Sequence, residues 1–431
     1  MTRRFFSIGA SLALSLAAVS MACSSDEDAA GGPEPQGDAG VSTFIDSSSA
    51  DDVTTSPLDA GADSALCSPA GWCETSLPDV DLEFKDVWVF DGRAFAVAES
   101  PTNGIKVLEW TDAAGAWTYI DDGTQNEPGL GKYSAGIWAP NENEVYYAAA
   151  PSFVYHGKRE SSGWTWSRSL LEDHSPDADG GTPHDHGRPF DRARGIAAPA
   201  LGVWGTSANE VYAWYANTIY RWKSESSSAP AWTAEYVVDT VDDPAEHVFF
   251  LGAAGTDSNG VWFAAARDRY PTGGSCVVLV HRTAQGYERI VDGTVSGMSC
   301  EALDGGAAFG GPDGWLTNLQ VSPAGQVTGL KGARDVARMA SDLSTTFATV
   351  PQTLSAAAAS SLWMDPDAQP WLSSQAFVLR GRDVFQAGGF EISSISLRGG
   401  PLSRPMNRVR GSSNHNLWAV GVRYALHKTT P

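Results

Sequence analysis

An aromatic motif that returns along the chain constrains its fold more than any other feature. Asn143-Glu144-Val145-Tyr146-Tyr147-Ala148 is echoed by Asn209-Glu210-Val211-Tyr212-Ala213-Trp214, by Asn259-Gly260-Val261-Trp262-Phe263-Ala264 and by Asn416-Leu417-Trp418-Ala419-Val420-Gly421. A fainter copy pairs Val87-Trp88 with Ala94-Phe95-Ala96-Val97-Ala98. Aromatic or β-branched residues alternate with small ones, which is the period of a strand. The copy that begins at Leu201 divides into four strands, 201–207, 210–216, 218–223 and 231–238, with Ser, Asn, Gly or Pro between them.

Candidate anchors fall at Phe95, Tyr146, Tyr212, Trp262, Trp315, Phe347, Phe385 and Trp418, about 46 residues apart on average. That is the length of one four-stranded propeller blade. A short four-stranded sheet cannot bury both faces alone. Radial stacking buries each face against the next, and closure leaves only short, protected edges. The expectation is therefore an all-β chain, a β-propeller of four-stranded blades. Seven blades are favoured if one faint anchor is surplus, and eight are the alternative. A two-sheet sandwich would not repeat at this period. Val336, Met339, Ala340 and Leu343 are spaced like a helix face and predict a short helix interrupting one blade. The chain ends soon after Tyr424-Ala425-Leu426-His427, which reads as a third strand, so Leu77–Phe84 is expected to supply the fourth and lock the ring.

Gly202-Val203-Trp204-Gly205-Thr206-Ser207 lies ahead of one copy and Val409-Arg410-Gly411-Ser412-Ser413 ahead of another. With the motifs that follow them, they resemble the Trp-Gly-Ser-Ser…Asp-Val-Trp-Ala-Val-Gly repeats of predicted secreted and lipoprotein β-propellers of myxobacteria. The resemblance implies a cell-envelope protein of this fold and no particular activity.

The amino terminus reads as an export signal. Arg3 and Arg4 precede an uncharged run from Phe5 to Ala22. The run ends at Ser20-Met21-Ala22-Cys23, which resembles a bacterial lipoprotein signal; that likeness implies acylation of Cys23. Ser20 departs from the pattern, and ordinary cleavage after Ala22 is the alternative. Thr2-Arg3-Arg4-Phe5-Phe6 faintly resembles a twin-arginine motif. Between Ser24 and Leu66 stand ten acids and no Lys or Arg, so this segment is expected to stay disordered and extend by self-repulsion. The domains expected are a signal peptide over 1–22, a lipid-anchored acidic linker over 23–66 and the propeller over 67–431. The expected location is the outer membrane or cell surface, with a soluble secreted or periplasmic protein as the alternative.

Setting Cys23 aside leaves Cys67, Cys73, Cys276 and Cys300, enough for two bridges in an oxidising compartment. The local pairing is Cys67–Cys73 and Cys276–Cys300; two other connectivities stay formally open. No Cys-x-x-Cys pair occurs, which removes the usual thiol-redox and zinc-knuckle readings.

The formal charge of −22 excludes nucleic acid as a partner, because binding a phosphate backbone needs a basic surface. P-loop, His-Glu-x-x-His, Gly-x-Ser-x-Gly and dinucleotide signatures are missing from the sequence. Thr256–Trp262 comes near a sialidase box with its Gly one place late, and reads as a turn before a core Trp. Trp88, Trp204, Trp262 and Trp418 recur at repeat positions and read as packing. Trp214, Tyr215 and Trp371 do not recur and are the better ligand candidates. Glu142 and Glu210 are turn neighbours in separate repeats and could form a glycosidase pair if the fold joins them.

One inserted segment, 172–190, holds His174, His184 and His186 with Asp173, Asp177, Asp179 and Asp185. Long loops on a rigid scaffold often carry function. Two readings stand. The first is a solvated polar insertion and no cofactor. The second is a metal site, with His184 and His186 joined by His174 or an Asp in an N/O set suited to zinc. Asp177 and Asp179 before Gly180 also resemble part of a calcium loop. The sequence thus predicts a non-enzymatic, envelope-anchored propeller with a binding face for protein or glycan, touching membrane through its lipid alone. A propeller glycosidase and a metal-dependent module are the alternatives.

Overall fold

The computed structural model describes residues 66–430, apart from 176–185, 224–229, 239–245, 257–259, 270–273, 304–305, 312, 356, 398–399 and 401. Among the described residues are seven four-stranded antiparallel sheets. Blade 1 is Glu83–Phe90, Arg93–Ser100, Gly104–Thr111 and Ala116–Tyr119. Blade 2 is Ser134–Asn141, Glu144–Ala149, Phe153–Glu160 and Gly163–Leu170. Blade 3 is Leu201–Ser207, Glu210–Tyr215, Thr218–Lys223 and Ala231–Val237, nearly the four strands read from the sequence. Blade 4 is Glu246–Thr256, Gly260–Arg269, Ser275–Thr283 and Gly286–Val291. Blade 5 is Leu316–Val321, Val327–Lys331, Asp335–Met339 and Thr345–Thr349. Blade 6 is Ser361–Met364, Pro370–Ser374, Phe377–Arg382 and Gly389–Ser393. Blade 7 is Met406–Ser413, Asn416–Gly421 and Tyr424–Lys428, completed by Trp72–Glu74.

First strands of neighbouring blades contact one another all the way round, blade 7 against blade 1 included. The fold is a seven-bladed β-propeller. One hydrophobic cluster fills each of the seven interfaces, from Trp418 with Phe84 between blades 7 and 1 to Trp371 with Val409 between blades 6 and 7. Each blade thus finds its core against its neighbours, as expected of repeats that cannot bury both faces alone.

The motif that repeats in sequence repeats in register. Successive strands align Trp88–Phe95–Glu109, Trp138–Tyr146–His156, Trp204–Tyr212–Arg221 and Ala254–Trp262–His281 in blades 1 to 4. Blades 5 to 7 align Gln320–Thr328–Arg338, Trp363–Trp371–Arg380 and Arg410–Trp418–His427. Three of these rows stack a histidine flat on the ring beside it. Tyr146/His156, Trp262/His281 and Trp418/His427 have centroids 4.0, 4.1 and 4.2 Å apart.

Several expectations need correction. Trp315 precedes the first strand of blade 5, Phe347 sits on its outermost strand, and Phe385 lies in a turn under Arg338. The second-strand positions in these blades belong to Thr328 and Trp371. Blade 5 has no aromatic there, so the aromatics that flank the position take its place in the sequence pattern. The helix expected at 336–343 is the strand Asp335–Met339 and a turn, with Leu343 at a positive φ of 66°. Val336, Ala337 and Met339 are all buried, because a middle strand is covered on both faces. That burial erases the alternation that marks a strand.

Closure uses an amino-terminal strand, but not Leu77–Phe84. Trp72, Cys73 and Glu74 pair with Lys428, His427 and Leu426. Leu77–Phe84 instead leads into the first strand of blade 1. Trp72 is fully buried, packs edge-on against Trp371 at 6.1 Å, and donates its indole N–H to Ser393 Oγ at 2.9 Å. Both local disulfides are formed. Cys67–Cys73 ties the closing strand into a short loop. Cys276–Cys300 ties the third strand of blade 4 to an extra hairpin, Gly293–Ser296 with Ser299–Ala302.

Candidate functional site

The first strands enclose a central channel with a cavity of about 320 Å³. Its wall mixes apolar residues, the rings of Trp88, Trp204, Trp214 and Trp315 among them, with charged ones. Asp86 from blade 1 lines the cavity, with 6% of its side chain exposed. Arg408 Nε donates to Asp86 Oδ1 at 2.6 Å, and the guanidinium also reaches Asn318. Arg410 Nη1 lies 3.8 Å from the same carboxylate and donates to Val87 O at 3.1 Å, its guanidinium over the Trp88 ring at 4.6 Å. Asp86 also accepts the backbone N–H of Ile137 at 3.1 Å and of Val87 at 2.9 Å. Burial alone would raise the Asp86 carboxyl; the charges of Arg408 and Arg410 outweigh it and hold the group below its ordinary value.

A third arginine arrives from outside the blades. The hairpin Phe190–Asp191 with Ile196–Ala197, between blades 2 and 3, contributes residues to the channel wall. Its Arg194 lies 3.5 Å from Asp191 and donates to Thr317 Oγ1 and to Ser360 O, both at 3.1 Å. Burial lowers the affinity of the Arg194 guanidinium for its proton and Arg408 lowers it further, against the pull of Asp191. Burial, with the like charge of Arg408, also brings Arg410 down to about 10 against the attraction of Asp86. Arg194, Arg408 and Arg410 therefore crowd one cavity with Arg188 and Lys85, against Asp86, Glu83 and Glu99. Arg408 and Arg410 keep 22% and 25% of their side chains exposed there. An entering anion would find guanidinium groups already desolvated and unfavourably close, which strengthens any pairing it makes.

The sequence-derived candidates fare differently. Tyr215 and Trp371 are buried in blade packing, and Trp371 occupies the repeat position of blade 6; Trp214 is largely buried but lines the channel cavity. Glu142 takes Arg93 of blade 1 at 3.1 Å, while Glu210 takes Arg221 and the Arg282 of blade 4. Each is spent in its own ion pair, so they form no acid–base couple. In the inserted segment His186 Nδ1 lies 3.0 Å from Asp173 Oδ2, with its ring 6.4 Å from that of His247. His174 stacks on Tyr220 at 6.1 Å. Among the described residues no three His, Cys, Asp or Glu converge as metal ligands. His184, Asp177, Asp179 and Asp185 lie outside the described residues, as do Cys23, the leader and all but Leu66 of the acidic linker. Arg408 and Arg410 are site residues that the sequence reading missed. The signal was legible: a charge at Arg410, where blades 1, 2 and 3 carry Trp88, Trp138 and Trp204.

The class this defines is a seven-bladed propeller with a cationic channel in an acidic chain. No protein-family model matches the chain, and no curated protein does. Among solved structures it is similar to YCF48 bound to a D1 peptide, at 13% identity and a TM-score of 0.52, covering 85% of this chain and 100% of that one. It is also similar to the β-propeller domain of Myceliophteria thermophila Cps50 (Swd1), at 9% identity and a TM-score of 0.50, covering 81% and 98%. At such identities the likeness concerns the fold alone.

Proposed function

We propose that this propeller is a binding scaffold for a protein partner, and that its channel takes a carboxylate-bearing segment of that partner. The observation that carries the reading is the group Arg194, Arg408 and Arg410 around one partly open cavity, inside a chain of formal charge −22. Guanidinium groups held in place by neighbouring side chains and carbonyls at a partly buried cavity suit a planar carboxylate, which a guanidinium can bind through two parallel hydrogen bonds. YCF48 carries a bound D1 peptide, which supports a propeller of this shape as a peptide receptor. Export and lipid attachment at Cys23 belong to the same proposal. Two disulfides support an oxidising compartment. An acyl anchor on a charged linker would hold the ring away from a membrane.

The test is calorimetry with acetyl-Ala-Asp-Glu carrying a free carboxyl end, and with the amide acetyl-Ala-Asn-Gln-amide, which has no carboxylate. The acid should bind and the amide bind about tenfold more weakly, since the charge-assisted pair is lost. Arg410→Gln should weaken the acid peptide and Asp86→Asn strengthen it, because Asp86 competes for the same guanidinium groups. Equal isotherms for acid and amide, or a weaker complex with Asp86→Asn, would falsify the channel reading. Attachment is checked separately: Cys23→Ala should move the protein from the detergent phase to the aqueous phase.

A further inference from the structure

The repeat makes one inter-blade contact and omits its equivalent one blade away. In blade 3, Glu210 accepts the hydroxyl of Tyr212 and a guanidinium of its own sheet, Arg221 at 2.7 Å. It then takes a cation from the next blade: Arg282 Nη1 lies 3.3 Å away, its guanidinium 5.8 Å from the Tyr212 ring centre. Carboxylate and aromatic ring together form a guanidinium seat.

Blade 2 builds the same seat. Glu144 accepts the hydroxyl of Tyr146 at 3.1 Å and pairs with its own sheet's His156 at 2.7 Å. Burial would raise the Glu144 carboxyl, but the hydrogen bonds from His156 and Tyr146 outweigh it and keep it below its ordinary value, hence ionised. Among the described residues no cation from the next blade reaches it. Arg282 directly follows His281, which faces Trp262; the residue in that place in blade 3 directly follows Arg221, and it is Trp222. Trp222 packs on Trp232 at 5.2 Å and edge-on to His156 at 6.1 Å. A cleft of about 710 Å³ opens between Trp222 on one wall and Glu144, Tyr146 and His156 on the other. Lys158 stands 3.8 Å from Glu144 and is 59% exposed, so it screens the carboxylate weakly. Trp110 holds the equivalent place at the junction of blades 7 and 1. There it is buried against Trp418 at 5.3 Å, so a tryptophan at this position does not by itself force a gap.

We propose that the cleft between blades 2 and 3 receives the guanidinium of an arginine on a partner protein, in the place that Arg282 fills between blades 3 and 4. Glu144 supplies the charge, and Tyr146 and Trp222 supply the faces. A strongly acidic chain favours such a basic partner at long range. The proposal rests on the reading of the propeller as a protein-binding scaffold but not on the channel, and its probes and variants differ from those of the channel.

The experiment uses the full chain with acetyl-Gly-Arg-Gly-amide and the same peptide with citrulline, followed by the indole N–H signals in nitrogen-labelled protein. The arginine peptide should shift the Trp222 signal and saturate, and the citrulline peptide should leave it in place. Glu144→Gln should weaken binding about tenfold, the worth of a charge-assisted pair. Trp222→Arg installs the residue that blade 4 carries; it should abolish peptide binding while the melting temperature holds or rises. Equal binding of both peptides, no saturation below about 10 mM, or undiminished binding in Glu144→Gln would overturn the proposal. Glu144→Gln keeps the side chain's shape, so that last arm stays informative if Trp222→Arg fails to fold.

Discussion

At the residue scale the repeat makes single atoms decisive. Gly202 lies on the first strand of blade 3 where the Trp214 indole crosses; a Cβ there would stand 2.1 Å from the ring. The indole is 7% exposed, packed in the core between blades 3 and 4 and bordering the channel, so any yielding must push it toward the cavity. Gly202→Ala should cost about 1–3 kcal/mol, the range for overpacking a filled core, read as a fall in the denaturation midpoint. An unchanged midpoint would mean that the blade relaxes freely. Asp268, on the second strand of blade 4, gives a pH-dependent case. Burial first, then Asp313 and Asp191, raise its carboxyl to about 6 against the pull of Arg192. A folded value above the unfolded one means the native state holds the proton more tightly between about 4 and 6. Stability from this group is therefore present below pH ~4 and is lost as pH rises through 6. Asp268→Asn should gain on the order of 2 kcal/mol at pH 7, allowing for partial solvent screening, and nothing at pH ~4. Denaturation of both proteins from pH 4 to 7 checks this, and a difference that does not change with pH would refute it.

At the element scale, closure depends on three residues. Trp72–Glu74 supply the outermost strand of blade 7, and Trp72 fills the junction with blade 6. Trp72→Ala removes a fully buried ring and leaves the Ser393 hydroxyl without its donor, so a loss of about 3–5 kcal/mol is expected. Reduction of Cys67–Cys73 should then make the variant open further, seen as faster amide exchange at Leu426 and Lys428 than in the rest of the ring. Equal exchange everywhere would mean closure is held elsewhere. This strand also marks the limit of what the sequence discloses. Blades 1 to 4 and 7 were legible because an aromatic behind Ala, Val or Leu anchors the second strand of each: Phe95, Tyr146, Tyr212, Trp262 and Trp418; in blade 6 Trp371 follows Pro370, which hides the copy. Blade 5 was not, since Thr328 stands there and Val336 to Met339 do not alternate. A three-residue strand has too few positions for any period, so the sequence argued for a closing strand but misplaced it by a few residues. Pairing across the ring fixes which residues close it, and local pattern carries no trace of that. The channel was half legible, through Arg410 at an apolar repeat position, whereas Arg194 reaches it from a hairpin whose destination no motif encodes.

At the scale of the whole molecule two fields of opposite sign act on ligands. The chain carries −22 overall, yet its channel wall sets Lys85, Arg188, Arg194, Arg408 and Arg410 against Glu83, Asp86 and Glu99. A carboxylate approaching from solution meets repulsion from the whole and attraction only at contact. Salt screens the long-range part over a Debye length of about 8 Å at physiological ionic strength, and buried pairs are screened much less. Added salt should therefore leave acetyl-Ala-Asp-Glu binding level or strengthen it between about 20 and 150 mM NaCl. The arginine peptide at the cleft between blades 2 and 3 meets the reverse balance. Its attraction is long-range and its seat is partly solvated, so the same salt range should weaken it several-fold and slow its association. Isotherms for both peptides on one protein preparation give the two slopes directly. Opposite signs are expected; a fall in affinity for both would mean that the acid peptide binds outside the channel, at a surface where solvent and salt reach its charges.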